Sequence, residues 1–127
     1  MEQLKVKFAD MSQAEELKQW LRDTKGNLFD EAILGYPTLQ TICAYNGQNV
    51  AYLPMQRALF LESLAVSPQA TDLEKAQAFR DLVKASELVA SSHGIKEIYM
   101  ICGENIKELA TKHGFEDVPW PVVRMRL

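Results

Sequence analysis

Hydrophobic and polar positions alternate from the start of the chain. In LKVKFAD, Leu4, Val6 and Phe8 alternate with Lys5 and Lys7, the period-two pattern of a half-buried strand. Ser12 and Glu15 then have the S-x-x-E spacing of a capping box, in which each side chain satisfies the other residue's backbone donor. The helix expected behind it carries Ala14, Leu17, Trp20 and Leu21 on one face. A shorter helical stretch, NLFDEAILG, ends at Gly35, a residue suited to the position just past a helix.

TLQTICAYNGQNVAYLPM is the clearest hairpin. Asn46 and Gly47 stand between two β-rich runs and supply the positive φ values a tight turn requires. A second reversal near MQRA leads into residues 59–66, apolar on both faces and therefore a central strand. Spacing predicts a long helix over residues 72–93, ended by Gly94, with Ala76, Phe79, Leu82, Val83, Val89 and Ala90 on its apolar face. IKEIYMIC, residues 95–102, reads as a second buried strand, followed by a short helix over 105–113 that closes at Gly114. After the turn VPWP, PVVRMRL alternates as a terminal strand.

Helices thus alternate with strands late in the chain, while a meander occupies the middle. The expectation is an α/β (α+β) domain spanning 1–127, with a mixed sheet of about six to seven strands flanked by about four helices. Its parallel part lies around residues 59–66 and 95–102.

Composition narrows the function classes. The 127 residues are 47% hydrophobic and 24% charged, an ordinary globular balance. A net charge of −3 argues against non-specific nucleic-acid binding, which needs a basic face. No run approaches the length of a membrane span, and the charged N-terminus does not read as a signal peptide. Cys43 and Cys102 lie in apolar runs without metal-ligand spacing and read as reduced core thiols of a cytoplasmic protein. His93 and His113 each precede a helix-ending glycine, where a cation favours the helix C-terminus; no spacing implies a metal.

Four stretches together resemble the GNAT family of acyl-CoA-dependent N-acetyltransferases: AYNGQNVAY, LESLAVSP, SSHGIKEIYMI and NIKELATKHGFED. The resemblance spans nearly the whole chain and implies acetyl-CoA as co-substrate and an amine acceptor. In that family the second stretch leads to a loop Q/R-x-x-G-x-G/A, whose backbone amides hold the cofactor pyrophosphate. Here the loop falls on TDLEKA, residues 71–76, where Ala76 fits but Thr71 replaces Gln or Arg and Glu74 replaces glycine. Thr71-x-x-Glu74 is itself a capping box, and Asp72 and Glu74 oppose an anion at the helix N-terminus. Lys75 is the compensating point charge.

By resemblance, Leu64, Ala65 and Val66 would contact the pantetheine arm, Thr71, Lys75 and Ala76 would flank the phosphates, and Asn105 matches the family's asparagine. Asn105 also suits a helix cap. Glu62, the lone charge within LFLESLAV, is the candidate base, with desolvation raising its pKa; pairing with a cation or a solvated sheet end is the other reading. The family's acidic tyrosine falls on Ala110, leaving Tyr99 or Tyr52 as substitutes or as packing. Trp120 reads as a packed turn or a groove wall.

Two functions remain open. One is transfer of an acyl group from acetyl-CoA to an amine of a small molecule or protein. The other is a non-catalytic GNAT-fold module that has lost CoA binding and takes a protein partner. A sheet-edge terminal strand also allows pairing with a second copy.

Overall fold

The computed structural model describes residues 3–10, 14–24, 26, 28–118 and 120–127. Among these it is a mixed α/β structure with five strands, three α-helices and one 3-10 helix. The chain forms two compact units, Met1–Arg57 and Ala58–Leu127. The proposed Ser12 cap and Pro119 of the VPWP turn lie outside the described residues.

In the first unit, strand β1 (Lys5–Phe8) is followed by α1 (Ala14–Asp23), the 3-10 helix Glu31–Gly35, β2 (Gln40–Tyr45) and β3 (Asn49–Met55). The three strands form an antiparallel sheet in the order β1-β2-β3, with Phe8 opposite Ile42 and Ile42 opposite Leu53. The expected hairpin is present. Its register slips between Ala44 and Tyr45, and only Gly47, at φ 88, is left-handed, as in a three-residue loop that closes with a bulge.

Among the described residues of this unit, Leu17, Ile33 and Cys43 are the buried apolar ones. Arg22 at the end of α1 makes two bonds to Glu31, Nε to Oε1 at 2.7 Å and Nη2 to Oε2 at 3.0 Å. This fork pins the 3-10 helix to α1. Two expectations are corrected here. Gly35 is the last residue of the 3-10 helix and has no positive φ; the chain leaves through extended Tyr36, whose amide bonds the Ile33 carbonyl. Strand β1 is exposed along its length. Alternation distinguishes a strand's two faces, but it does not provide the layer that covers one of them.

The second unit comprises β4 (Leu59–Leu61), α2 (Asp72–Ser92), β5 (Ile98–Met100) and α3 (Glu104–Lys112). Strands β4 and β5 pair in parallel, Leu59 opposite Ile98 and Leu61 opposite Met100, across the α2 connection that a parallel pair requires. Phe79, Val83 and Ala110 form the core, with Leu64, Met100, Ile106, Leu109 and Phe115 packed on it. Both helices stop where glycine follows: Gly94 at φ 68 and Gly114 at φ 94.

Leu82 and Val89, expected inside, are 55% and 49% exposed. Each precedes a buried residue, Val83 or Ala90, and one residue rotates about 100° around a helix. The buried stripe is therefore narrower than the apolar one. Residues 121–127 form no strand and are exposed throughout, which leaves five strands instead of six to seven. Alternation alone supplies no partner edge for a strand's amides and carbonyls.

Candidate functional site in the loop before α2

The parallel ladder is short. It runs from the Leu59 amide on the Glu97 carbonyl, at 3.2 Å, to the Ile101 amide on the Leu61 carbonyl, at 3.1 Å. Beyond Leu61 the chain leaves the ladder and runs irregularly to α2. The Ala70 amide donates to the Ser67 carbonyl at 3.1 Å, turning the loop into the helix. Leu64 anchors the loop on the core, while Ala65, Val66 and Ser67 are exposed.

Between this loop and the first turns of α2 lies a cavity of about 430 Å³. Leu64, Ala65, Val66 and Lys75 line it, as the resemblance implies, together with Ser67, Glu74 and Gln77. The sequence pattern singles out neither Ser67 nor Gln77. Their only signal is positional, a turn-closing serine and a side chain one helical turn beyond Glu74.

The other candidates lie elsewhere in the unit. Glu62 is the first residue past β4 and is exposed, so the expected desolvation is absent and it does not lie on a strand face. Thr71 is the residue before α2, Ala76 is half-buried on that helix, and Asn105 is exposed in the first turn of α3. Gly103, not Asn105, caps α3, without a side-chain bond.

The capping box is complete. The Thr71 amide donates to Glu74 Oε1 at 3.0 Å, and the Glu74 amide donates to Thr71 Oγ1 at 3.1 Å. The bond from the Thr71 amide, then that from its hydroxyl, holds the Glu74 carboxyl below the usual glutamate range. A fixed negative charge therefore stands in the cavity wall, with Lys75 beside it. Among the described residues, no protein acceptor takes the amides of Asp72 and Leu73. Leu64, Ala65 and Val66 give the cavity an apolar stretch of wall. The charged side chains in its wall are Lys75 and Glu74, adjacent in sequence and opposite in sign.

Both substitute tyrosines are engaged. The Tyr99 hydroxyl donates to Glu97 Oε1 at 2.8 Å, and its ring lies 5.3 Å from Phe60 and 5.9 Å from Trp120. In the first unit, the Tyr52 hydroxyl donates to Glu16 Oε1 at 2.7 Å and accepts from Asn49 Nδ2 at 2.9 Å. Burial first, then Glu16, pushes Tyr52 up to about 12. His113 donates from Nδ1 to the Leu109 carbonyl at 3.0 Å and meets Phe79 edge-on, with ring centres 5.2 Å apart. Cys43 is fully buried and Cys102 half-buried, and both are free thiols. Among the described residues, no group of three His, Cys, Asp or Glu is placed to hold a metal, and no helix is long and apolar enough to cross a membrane.

No family model and no curated protein matches the chain. Solved structures do resemble it. A predicted acetyltransferase with acetyl-CoA from Clostridium acetobutylicum shares 16% identity, covers 96% of each chain and superposes with a TM-score of 0.37. A ribosomal-protein-alanine N-acetyltransferase from Brucella melitensis biovar Abortus 2308 shares 12% identity, with 98% of this chain and 100% of that chain covered, at a TM-score of 0.38. AAC(6')-Iy, in complex with a bisubstrate analog, shares 14% identity and 99% of each chain, at a TM-score of 0.43. The first two are acetyltransferases by name, and this chain resembles all three at low identity and low superposition score.

Proposed function

We propose that this chain is a divergent N-acyltransferase of GNAT type, a single domain over residues 1–127, that uses acetyl-CoA and an amine acceptor. The observation that carries this reading is the cavity beyond the end of the β4–β5 ladder, where Leu64, Ala65 and Val66 meet the first turns of α2. A loop that leaves a parallel ladder exposes backbone donors and acceptors that a strand would consume. Bound acetyl-CoA supplies an acyl group activated as a thioester. Leu64, Ala65 and Val66 contact its pantetheine arm, Thr71, Lys75 and Ala76 flank its phosphates, and Asn105 helps to hold the arm or the loop. Glu62 takes the proton that the amine gives up as its nitrogen bonds the acyl carbon. The C–S bond breaks, and CoA leaves as a thiolate that solvent protonates.

The completed Thr71–Glu74 box favours a second reading, a GNAT-like module that has lost CoA binding and serves a protein partner. A carboxylate in the wall opposes a pyrophosphate, and the cap consumes two of the donors that a phosphate cradle needs.

Calorimetric titration of acetyl-CoA into the protein and a Glu74→Gly variant separates the two. Binding by the unmodified protein supports the enzyme, and an acceptor screen with Glu62→Gln as control then follows. Binding only by the variant identifies an inherited site closed by its own cap and supports the module. Binding by neither removes the acyltransferase reading.

A further inference from the structure

A second cavity, of about 470 Å³, lies wholly within the first unit. It falls in the size range of small-molecule sites. Phe8 and Asp10 from the end of β1, Leu17 from α1, Tyr36 and Leu39 after the 3-10 helix, and Tyr52 from β3 stand in its wall. Leu17 is buried, whereas Phe8 and Asp10 are exposed, so the wall runs from a buried aliphatic side chain to an exposed carboxylate-bearing residue.

The charge inventory is one-sided. Among the described lining residues Asp10 is the one ionisable carboxylate, and no lysine or arginine joins it. Three aromatic side chains accompany it, and their ring faces are negative. Tyr52 is held in place: its hydroxyl bonds Glu16 and Asn49, and its ring lies 5.1 Å from that of Trp20. The Glu16 carboxylate, 2.7 Å from that hydroxyl, adds a second negative group behind the wall. Asp10 has a partner within the protein, yet a carboxylate has about four acceptor positions and can serve a ligand as well.

We propose that this cavity binds a small organic monocation with an apolar or aromatic body. The body lies along Leu17, Leu39 and the rings, and the cationic head lies between Asp10 and the aromatic faces. This site is independent of the acyl-transfer reading.

The test uses benzyltrimethylammonium, whose permanent charge and lack of a free amine prevent it from being an acyl acceptor. Its anionic counterpart is phenylacetate. Each is titrated into the full chain without acetyl-CoA and followed by calorimetry and by backbone amide NMR shifts. The expected result is saturable binding of the cation, with shifts at residues 8–10, 34–39 and 52, and none with the anion. Asp10→Asn weakens the cation roughly tenfold, the scale of a lost charge-assisted contact. Equal binding of both probes, saturation by neither, or a folded Asp10→Asn protein that binds unchanged overturns the proposal. Should Asp10→Asn fail to fold, the comparison of the two probes on the unmodified protein decides alone.

Discussion

Thr71 and Glu74 each hold the other's backbone: the amide of Thr71 reaches Glu74 Oε1 at 3.0 Å, and the amide of Glu74 reaches Thr71 Oγ1 at 3.1 Å. By the resemblance, Glu74 falls where a GNAT loop has glycine and Thr71 where it has Gln or Arg. What starts the 21-residue helix α2 is therefore also what places a carboxylate in the cavity beside it.

Removing the hydroxyl in Thr71→Ala costs about 1 kcal/mol, the usual value of an N-cap, read from urea denaturation. Glu74→Gln retains an acceptor but not the charge. The native Glu74 pKa lies below its ordinary 4.5, so the charge contributes stability above that value and loses it as pH falls through the lower native pKa. The difference between the unmodified protein and Glu74→Gln should be constant near neutrality and shrink in acid. A difference that stays undiminished well below 4.5 would contradict the assignment.

Two glycines separate backbone strain from crowding. A Cβ added at Gly47 or at Gly35 meets nothing within 4 Å, but only Gly47 has positive φ, at +88. Gly47→Ala should destabilise by about 1–2 kcal/mol, the cost of a left-handed alanine. Gly35→Ala should be neutral or stabilising by up to about 1 kcal/mol, through the less flexible unfolded chain. Equal losses at the two sites in thermal melts would mean that the hairpin turn is not built on Gly47.

The width of the buried stripe on α2 is tested by neighbouring truncations. Phe79 is 1% exposed and Leu82 is 55% exposed. Phe79→Ala should cost about 3–5 kcal/mol as its cavity opens in the core. Leu82→Ala should stay within about 0.5 kcal/mol, as surface substitutions do. If the leucine proves as costly as the phenylalanine, both apolar faces of the helix are covered in solution.

Tyr52, at about 12, should be the last tyrosine to ionise in an alkaline ultraviolet titration, and Tyr52→Phe should remove that step. Its native pKa is raised, so the associated stability is fully present below the ordinary tyrosine value of about 10 and is lost as pH climbs toward 12. Glu16→Gln should bring the step partway down, because burial, the larger cause, remains. A Tyr52 that ionises with the other tyrosines would break the Glu16–Tyr52–Asn49 cluster.

Local signals were legible wherever one residue's chemistry sufficed. The Thr71–Glu74 box, the left-handed Gly47 and the helix ends at Gly94 and Gly114 follow from short-range spacing, while the parallel pairing expected around 59–66 and 95–102 came from the order of elements and covers only Leu59–Leu61 and Ile98–Met100. Four of the eight candidate site residues, Leu64, Ala65, Val66 and Lys75, line one cavity for the same reason: they are close in sequence across a loop and a helix start. The aromatic cavity of the first unit was not legible. It gathers Phe8, Tyr36 and Tyr52, residues with no common spacing.

By itself the sequence determined where α2 begins and where α2 and α3 stop, because caps and helix-ending glycines act within a few residues. It also set the chemistry at the start of α2, since Thr71 and Glu74 are three apart and need nothing distant to meet. Only the tertiary structure decided which apolar faces are covered, for example that Val83 is buried while its neighbour Leu82 is not. It likewise decided that Glu62 lies beyond the end of its strand and that residues 121–127 remain unpaired. Burial and strand pairing each need a partner surface, and the alternation of a segment carries no information about whether that partner is present.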